Sequence, residues 1–252
     1  MYVVALPYPP GGESTVEVLA GALRLSRLEA KARIQASASS PAVIARFADR
    51  TAAEACSRRL ADDGLPNFVV ARGDIESEAA RLAVATFAFE PEGLSARGTS
   101  TGDVIPYASV RLLLRASRLI SETTTEIVRE RKLSLGRAIL TGGLVMTRTE
   151  KRKRQLTRGE PESLLYVYSA GHRPLYFAQL TLDYRGLGGR LAPNAAENFV
   201  RLWDALRERC PHAIRNDLLT SRTFQAALLG PALSPETHLD LAITLLRRDL
   251  AA

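Results

Sequence analysis

The chain predicts an α+β fold: a small β-α-α-β-α-β region, then an antiparallel β-rich region, then C-terminal helices. Three observations predict it. Between residues 1 and 72, short apolar runs alternate with helical patterns that open on capping signals. From Phe87 onward, runs rich in β-branched and aromatic residues follow one another across Gly, Pro and Ser turns. From Asn194 the helical period returns.

Of 252 residues, 46% are hydrophobic and 24% charged, the balance of a globular chain rather than a disordered one. Two cysteines, Cys56 and Cys210, exclude a disulfide framework and a four-cysteine zinc site. His172, His212 and His238 are too far apart in sequence for metal-ligand spacing. The longest mostly apolar stretch, Ala138 to Met146, is far shorter than the ~20 residues that span a bilayer. Met1 to Pro7 lacks the positive region of a secretory signal. The expectation is a cytoplasmic chain with no cofactor and no metal.

Tyr2 to Leu6 reads as a strand ended by prolines. Ser14-Thr15-Val16-Glu17 has capping-box form, with Val18, Leu19, Ala22 and Leu23 at helical spacing after it. Ser26-Arg27-Leu28-Glu29 is a second box, opening a helix through Ile34. Pro41 to Phe47 is a buried-type strand. Asp49 caps a third helix with Ala52, Ala53, Cys56 and Leu60 inward, and Gly64 suits its C′ position. Asn67 to Val70 closes the region.

This order, with Glu29-Ala30-Lys31, Ala53-Glu54, Leu60 and Gly64, resembles the C-terminal domain of the ribosomal stalk protein. The Clp-protease adaptor that shares that fold is similar. The resemblance implies a helical-hairpin face suited to docking a partner. Stalk proteins carry basic residues on the first helix of the pair; here that helix has Glu17, Ala20 and Gly21, with Arg24 only at its end. Translation-factor binding is therefore not carried over.

Residues 73–82 read as an acidic linker or short helix. Strands follow at Phe87–Phe89, from Asp103 to Tyr107, from Val110 to Ile120, at Leu164–Tyr168 and at Pro174–Leu180. Asn194 caps a helix to about Arg209, apolar at Phe199, Leu202, Trp203 and Leu206 and ended by Pro211. Strands that return through Ile105-Pro106-Tyr107 and finish on one amphipathic helix resemble the pleckstrin-homology-like fold over 84–210. That resemblance implies a bent antiparallel sheet closed by a helix, and a binding rather than catalytic role. Residues 211–252 are expected as a helical tail: Leu218 to Leu229, then a helix from Ser234-Pro235 to Leu250.

The net charge is +7, and residues 121–160 hold ten basic and five acidic side chains. Glu122 to Glu130 and Thr147 to Arg152 are Thr-rich and alternate in polarity, as exposed strands do. Between them, 133–146 is apolar and glycine-flexed. The whole of 121–158 reads as a two-stranded arm with an apolar tip, each close acid–base cross-strand pair worth roughly 0.2–1 kcal/mol. The tip can fold back on its own body, dock a protein or a second copy, or enter a lipid surface. Leu135, Ile139, Leu140, Leu144 and Val145 are its apolar contact candidates. Lys151, Arg152, Lys153 and Arg154 are the candidates for anion contact, toward an acidic protein face or an anionic membrane. Nucleic acid is not expected, since few aromatics interleave the bases.

No Gly-x-Ser-x-Gly, Walker loop or His-Glu-x-x-His occurs, so no catalytic residue is assigned. Gly186-Leu187-Gly188-Gly189 lacks a third glycine at Leu191 and reads as a bend. The expected function is a non-enzymatic adaptor acting through protein–protein contacts. The alternatives are a peripheral protein on anionic lipid, and an enzyme whose site would collect His172, Arg173 and Asp183.

Overall fold

The computed structural model describes residues 1–7, 12–36, 40–99, 102–133 and 147–250. The class is α+β. The first part runs β1 (Tyr2–Leu6), α1 (Glu13–Leu23), α2 (Arg27–Ala36), β2 (Ala42–Phe47), α3 (Arg50–Asp62) and β3 (Phe68–Ala71). Strand β1 lies between β2 and β3 and is antiparallel to both.

Strand alternation places successive β1 side chains in two different cores. Val4 and Leu6 pack with Val16, Leu19, Ala30, Ile34, Ala53 and Leu60 of the three helices. Val3 and Ala5, with Val43 and Val70, pack into a second core with residues of the C-terminal helices. This is why Val3 to Leu6 is one unbroken apolar run, fully buried throughout.

Local signals set most of these boundaries. Ser26 Oγ accepts from the Glu29 amide at 3.2 Å while Glu29 Oε2 accepts from the Ser26 amide at 2.9 Å, the reciprocal box. Asp49 Oδ1 accepts from the Ala52 amide at 2.8 Å. Gly64 takes φ +78°, and the Leu65 amide reaches back to the Leu60 carbonyl at 2.8 Å, closing α3. The box expected at Ser14 is not used: α1 begins at Glu13, behind Gly12 with no side-chain cap. A positive φ of 131° at Gly12 turns the chain into the helix unaided, and Glu13 supplies the acidic charge of the first turn.

The second part holds β4 (Leu82–Ala83), β5 (Thr86–Phe89), β6 (Gly93–Arg97), β7 (Gly102–Pro106), β8 (Val110–Leu133), β9 (Thr147–Ser169), β10 (Leu175–Ala178), α4 (Ala195–Arg209), β11 (Ile214–Leu219), α5 (Arg222–Leu229) and α6 (Pro235–Leu250). One sheet has the order β11-β8-β9-β10-β4, and β5-β6-β7 form an antiparallel sheet of their own. Within the larger sheet β10 is antiparallel to β9, but both edge strands join in parallel, β4 to β10 and β11 to β8. The helix expected over 218–229 is therefore corrected. Its first residues belong to β11, and α5 starts after Ser221, whose Oγ accepts from the Phe224 amide at 3.3 Å. A local apolar period cannot report a strand partner near residue 112.

The larger sheet also has two buried faces. Leu113, Leu165, Val167 and Phe177 pack with Phe199, Leu202, Trp203 and Leu206 of α4. Leu112, Leu114, Leu164, Tyr166 and Tyr176 pack with residues of α5 and α6. Residues 1–118 and 162–252 form one compact unit, and Leu119–Pro161 forms another.

The segment between β3 and β4, residues 72–81, holds two single 3-10 turns around a buried ion network. Arg81, 2% exposed, donates from Nε to Glu76 Oε1 at 2.6 Å, from Nη1 to Asp240 Oδ1 at 2.5 Å, and from Nη2 to the Glu76 carbonyl at 2.8 Å. Its guanidinium stacks 5.0 Å over the Tyr166 ring. Glu76 also accepts from Tyr168 Oη at 3.0 Å and pairs with Arg247. The network ties the linker to α6.

Burial pushes the Cys210 thiol up to about 11 and the phenols of Tyr166, Tyr168, Tyr176 and Tyr184 above their ordinary value. The unfolded chain ionises these groups at lower pH than the folded chain does. The contribution of Cys210 is therefore complete below about pH 8.5 and is lost as pH rises through 11, while that of the tyrosines begins to be lost only above about pH 10. Thermal melts from about pH 8 to 11 are expected to show a midpoint that falls steadily above about pH 9. A midpoint that holds level across that range contradicts the assignment.

Candidate functional site

The apolar candidates Leu135, Ile139, Leu140, Leu144 and Val145 lie outside the described residues. Lys151, Arg152, Lys153 and Arg154 lie in β9, and Glu122, Glu126 and Glu130 in β8. The two strands are neighbours, 24 and 23 residues long, where strands in globular proteins usually run to about ten at most. Residues 119–133 of β8 and 147–161 of β9 belong to the Leu119–Pro161 unit.

Of His172, Arg173 and Asp183, the last two are held by separate partners. Arg173 donates to the backbone carbonyls of Ala79, Ala80 and Arg81, and Asp183 binds the Arg185 amide and guanidinium. Among the described residues, no group of three His, Cys, Asp or Glu side chains could hold a metal ion. No helix among them is long and apolar enough to cross a membrane.

A feature the sequence did not signal is a cleft of about 560 Å³ in the N-terminal part. The α1–α2 turn (22–25), Arg33 of α2, residues 43–47 of β2, one side of α3 and the segment after α5 line it. Its lining holds four arginines, Arg24, Arg33, Arg46 and Arg59, and no carboxylate; Leu23, Val43, Ala45, Phe47 and Cys56 also line it.

Each arginine is placed by a different local device. Arg24 ends α1 in the left-handed conformation, φ +54°, the one described non-glycine residue with positive φ. The Leu25 amide returns to the Ala20 carbonyl at 2.9 Å, the bond that such a terminus usually forms around glycine. In β2 the register to β1 slips between Val4 and Ala5, leaving Ile44 as an extra residue. The Ile44 carbonyl accepts from Arg33 Nη1. Arg46 is exposed and opposite Val3 in the ladder. Arg59, one turn beyond Cys56, reaches the Ala22 carbonyl at 3.5 Å.

Burial holds the Arg33 guanidinium below its ordinary pKa, with the Glu29 carboxylate pulling the other way. Burial likewise pushes the Cys56 thiol up, and Arg59 pulls it back. Cys56 therefore stays a neutral apolar wall element near neutral pH. Four cations around one cavity repel one another, a cost that a bound anion removes. The four come from four separate elements, so no charge run in the sequence marks them. Comparison of the chain with protein-family models, curated proteins and solved structures found no match.

Proposed function

We propose that the protein is a non-enzymatic binding protein, a cytoplasmic adaptor that works through protein–protein contacts, with the Leu119–Pro161 unit as its contact element. The observation that carries the reading is the length of β8 and β9. Ala116 of β8 and Leu164 of β9 belong to a core of one compact unit, while the same strands run to Leu133 and start at Thr147, within the other. Two long paired strands that make up a compact unit of their own offer a surface to a partner or a second copy. The apolar stretch 133–146 joins them and is the contact expected from sequence.

The basic run Lys151 to Arg154 favours a second reading, a peripheral role on anionic lipid, each base adding roughly 1 kcal/mol near the surface. Removing 133–146 separates the two. In the adaptor reading the intact chain self-associates by light scattering or captures a partner, the deletion abolishes this, and added salt changes little. In the lipid reading, binding to phosphatidylserine vesicles falls steeply as salt rises. A deletion that leaves mass, partner capture and vesicle binding all unchanged removes the contact element from both.

A further inference from the structure

The arginine cleft carries an inference independent of the β8–β9 unit. We propose that it is a binding site for a small organic anion: an oxyanion group held by Arg24, Arg46 and Arg59, on an apolar body seated over Leu23, Phe47 and Cys56.

The cavity has the volume of ordinary small-molecule sites, about 560 Å³ against roughly 300–1,000 Å³. Its uncharged lining is apolar and its charged lining is all of one sign, the composition that selects an amphipathic anion over a neutral or cationic molecule. Guanidinium forks match carboxylate and phosphate oxygens in bidentate geometry, which four lysines would not do. Among the described residues, Arg24 and Arg46 have no side-chain hydrogen bond or ion pair, so their charge is unspent within the fold. Arg24 sits in a backbone conformation that glycine adopts without strain and arginine does not. A strained residue at a cleft is the kind of outlier from which a functional role is inferred. The architectural arginines behave differently: Arg81 and Arg118 are each closed onto carboxylates. The adjoining cavity shares Arg33, Val43 and Pro231 and is lined toward α5 by Ala226, Ala227 and Leu233, with Glu29 its one carboxylate, so the apolar body has room to extend along the α5 side.

The test uses the full chain and 1-anilinonaphthalene-8-sulfonate, an apolar body with one oxyanion. Saturable one-site binding is expected, displaced by dodecyl phosphate or dodecanoate and not by inorganic phosphate. Arg24→Gln with Arg46→Gln should raise Kd at least tenfold, whereas Arg72→Gln with Arg111→Gln, exposed elsewhere, should leave it within twofold. The neutral N-phenyl-1-naphthylamine should bind at least tenfold more weakly. Bound probe should slow alkylation of Cys56, which lines the cleft. Arg24→Gly is the internal control for folding: it relaxes the left-handed turn, so the melting temperature holds or rises while binding weakens. Unchanged affinity in the double variant, equal binding of the neutral analogue, or unprotected Cys56 with probe bound each overturns the proposal. Deleting 133–146 should leave probe binding intact, so failure of the adaptor reading is told apart from failure of this one.

Discussion

Arg81→Met is expected to destabilise the folded chain by about 3–5 kcal/mol, the cost of breaking a buried ion network by removing one partner. The guanidinium is almost wholly buried, and three hydrogen bonds and a stack on Tyr166 depend on it. Without it, Glu76 keeps Tyr168 and Arg247 but stays a mostly buried carboxylate with less compensation. Asp240, 40% exposed at its side chain, can turn to water, so the loss falls mainly on Glu76. Adding Glu76→Leu to Arg81→Met should recover part of the stability, because removing both charges abolishes the desolvation that either alone leaves unbalanced. Urea unfolding of the two single variants and the double variant measures this. Additive single effects, or a loss under about 1 kcal/mol for Arg81→Met, contradict the network's role.

Gly186→Ala is expected to cost about 2–3 kcal/mol, while Gly189→Ala is close to neutral. A Cβ at residue 186 would lie 2.0 Å from the Phe87 carbonyl oxygen and 2.8 Å from its carbon. That oxygen belongs to β5 and cannot swing aside. Thr86 bridges Asp183, and the Asp183 amide donates to the Ala85 carbonyl at 2.9 Å, so the loop is tied to β5 where the clash would arise. At Gly189 nothing stands within 4 Å of the added carbon. The same urea measurement decides it: equal stabilities for the two variants would show that β5 can yield. The sequence read these glycines as bend residues, which fits Gly188 at φ +56°; the need at Gly186 is close approach instead.

The local devices were legible because they are local. The Ser26–Glu29 box, the Asp49 and Asn194 caps and the Gly64 terminus each close hydrogen bonds within a few residues, so spacing alone reveals them. Ser14 misled for the same reason: a capping pattern existed, but Gly12 started the helix first. The charge pattern of 121–160 pointed at strands, and β8 and β9 are strands there. The segment 73–82 read as an acidic linker or short helix, yet it carries Glu76 and Arg81 into a buried network, because Asp240 and Arg247 arrive from α6.

By itself, then, the amino-acid order determined the α+β class, the β-α-α-β-α-β start and most helix ends, since those follow from hydrogen bonds and periodicities a few residues long. Only the tertiary structure decided that β11 is a strand, that both edges of the larger sheet are parallel, and that Arg24, Arg33, Arg46 and Arg59 share one cleft. These depend on which distant segments bury their apolar faces together, and an apolar period shows that a face is buried without naming the remote segment that covers it.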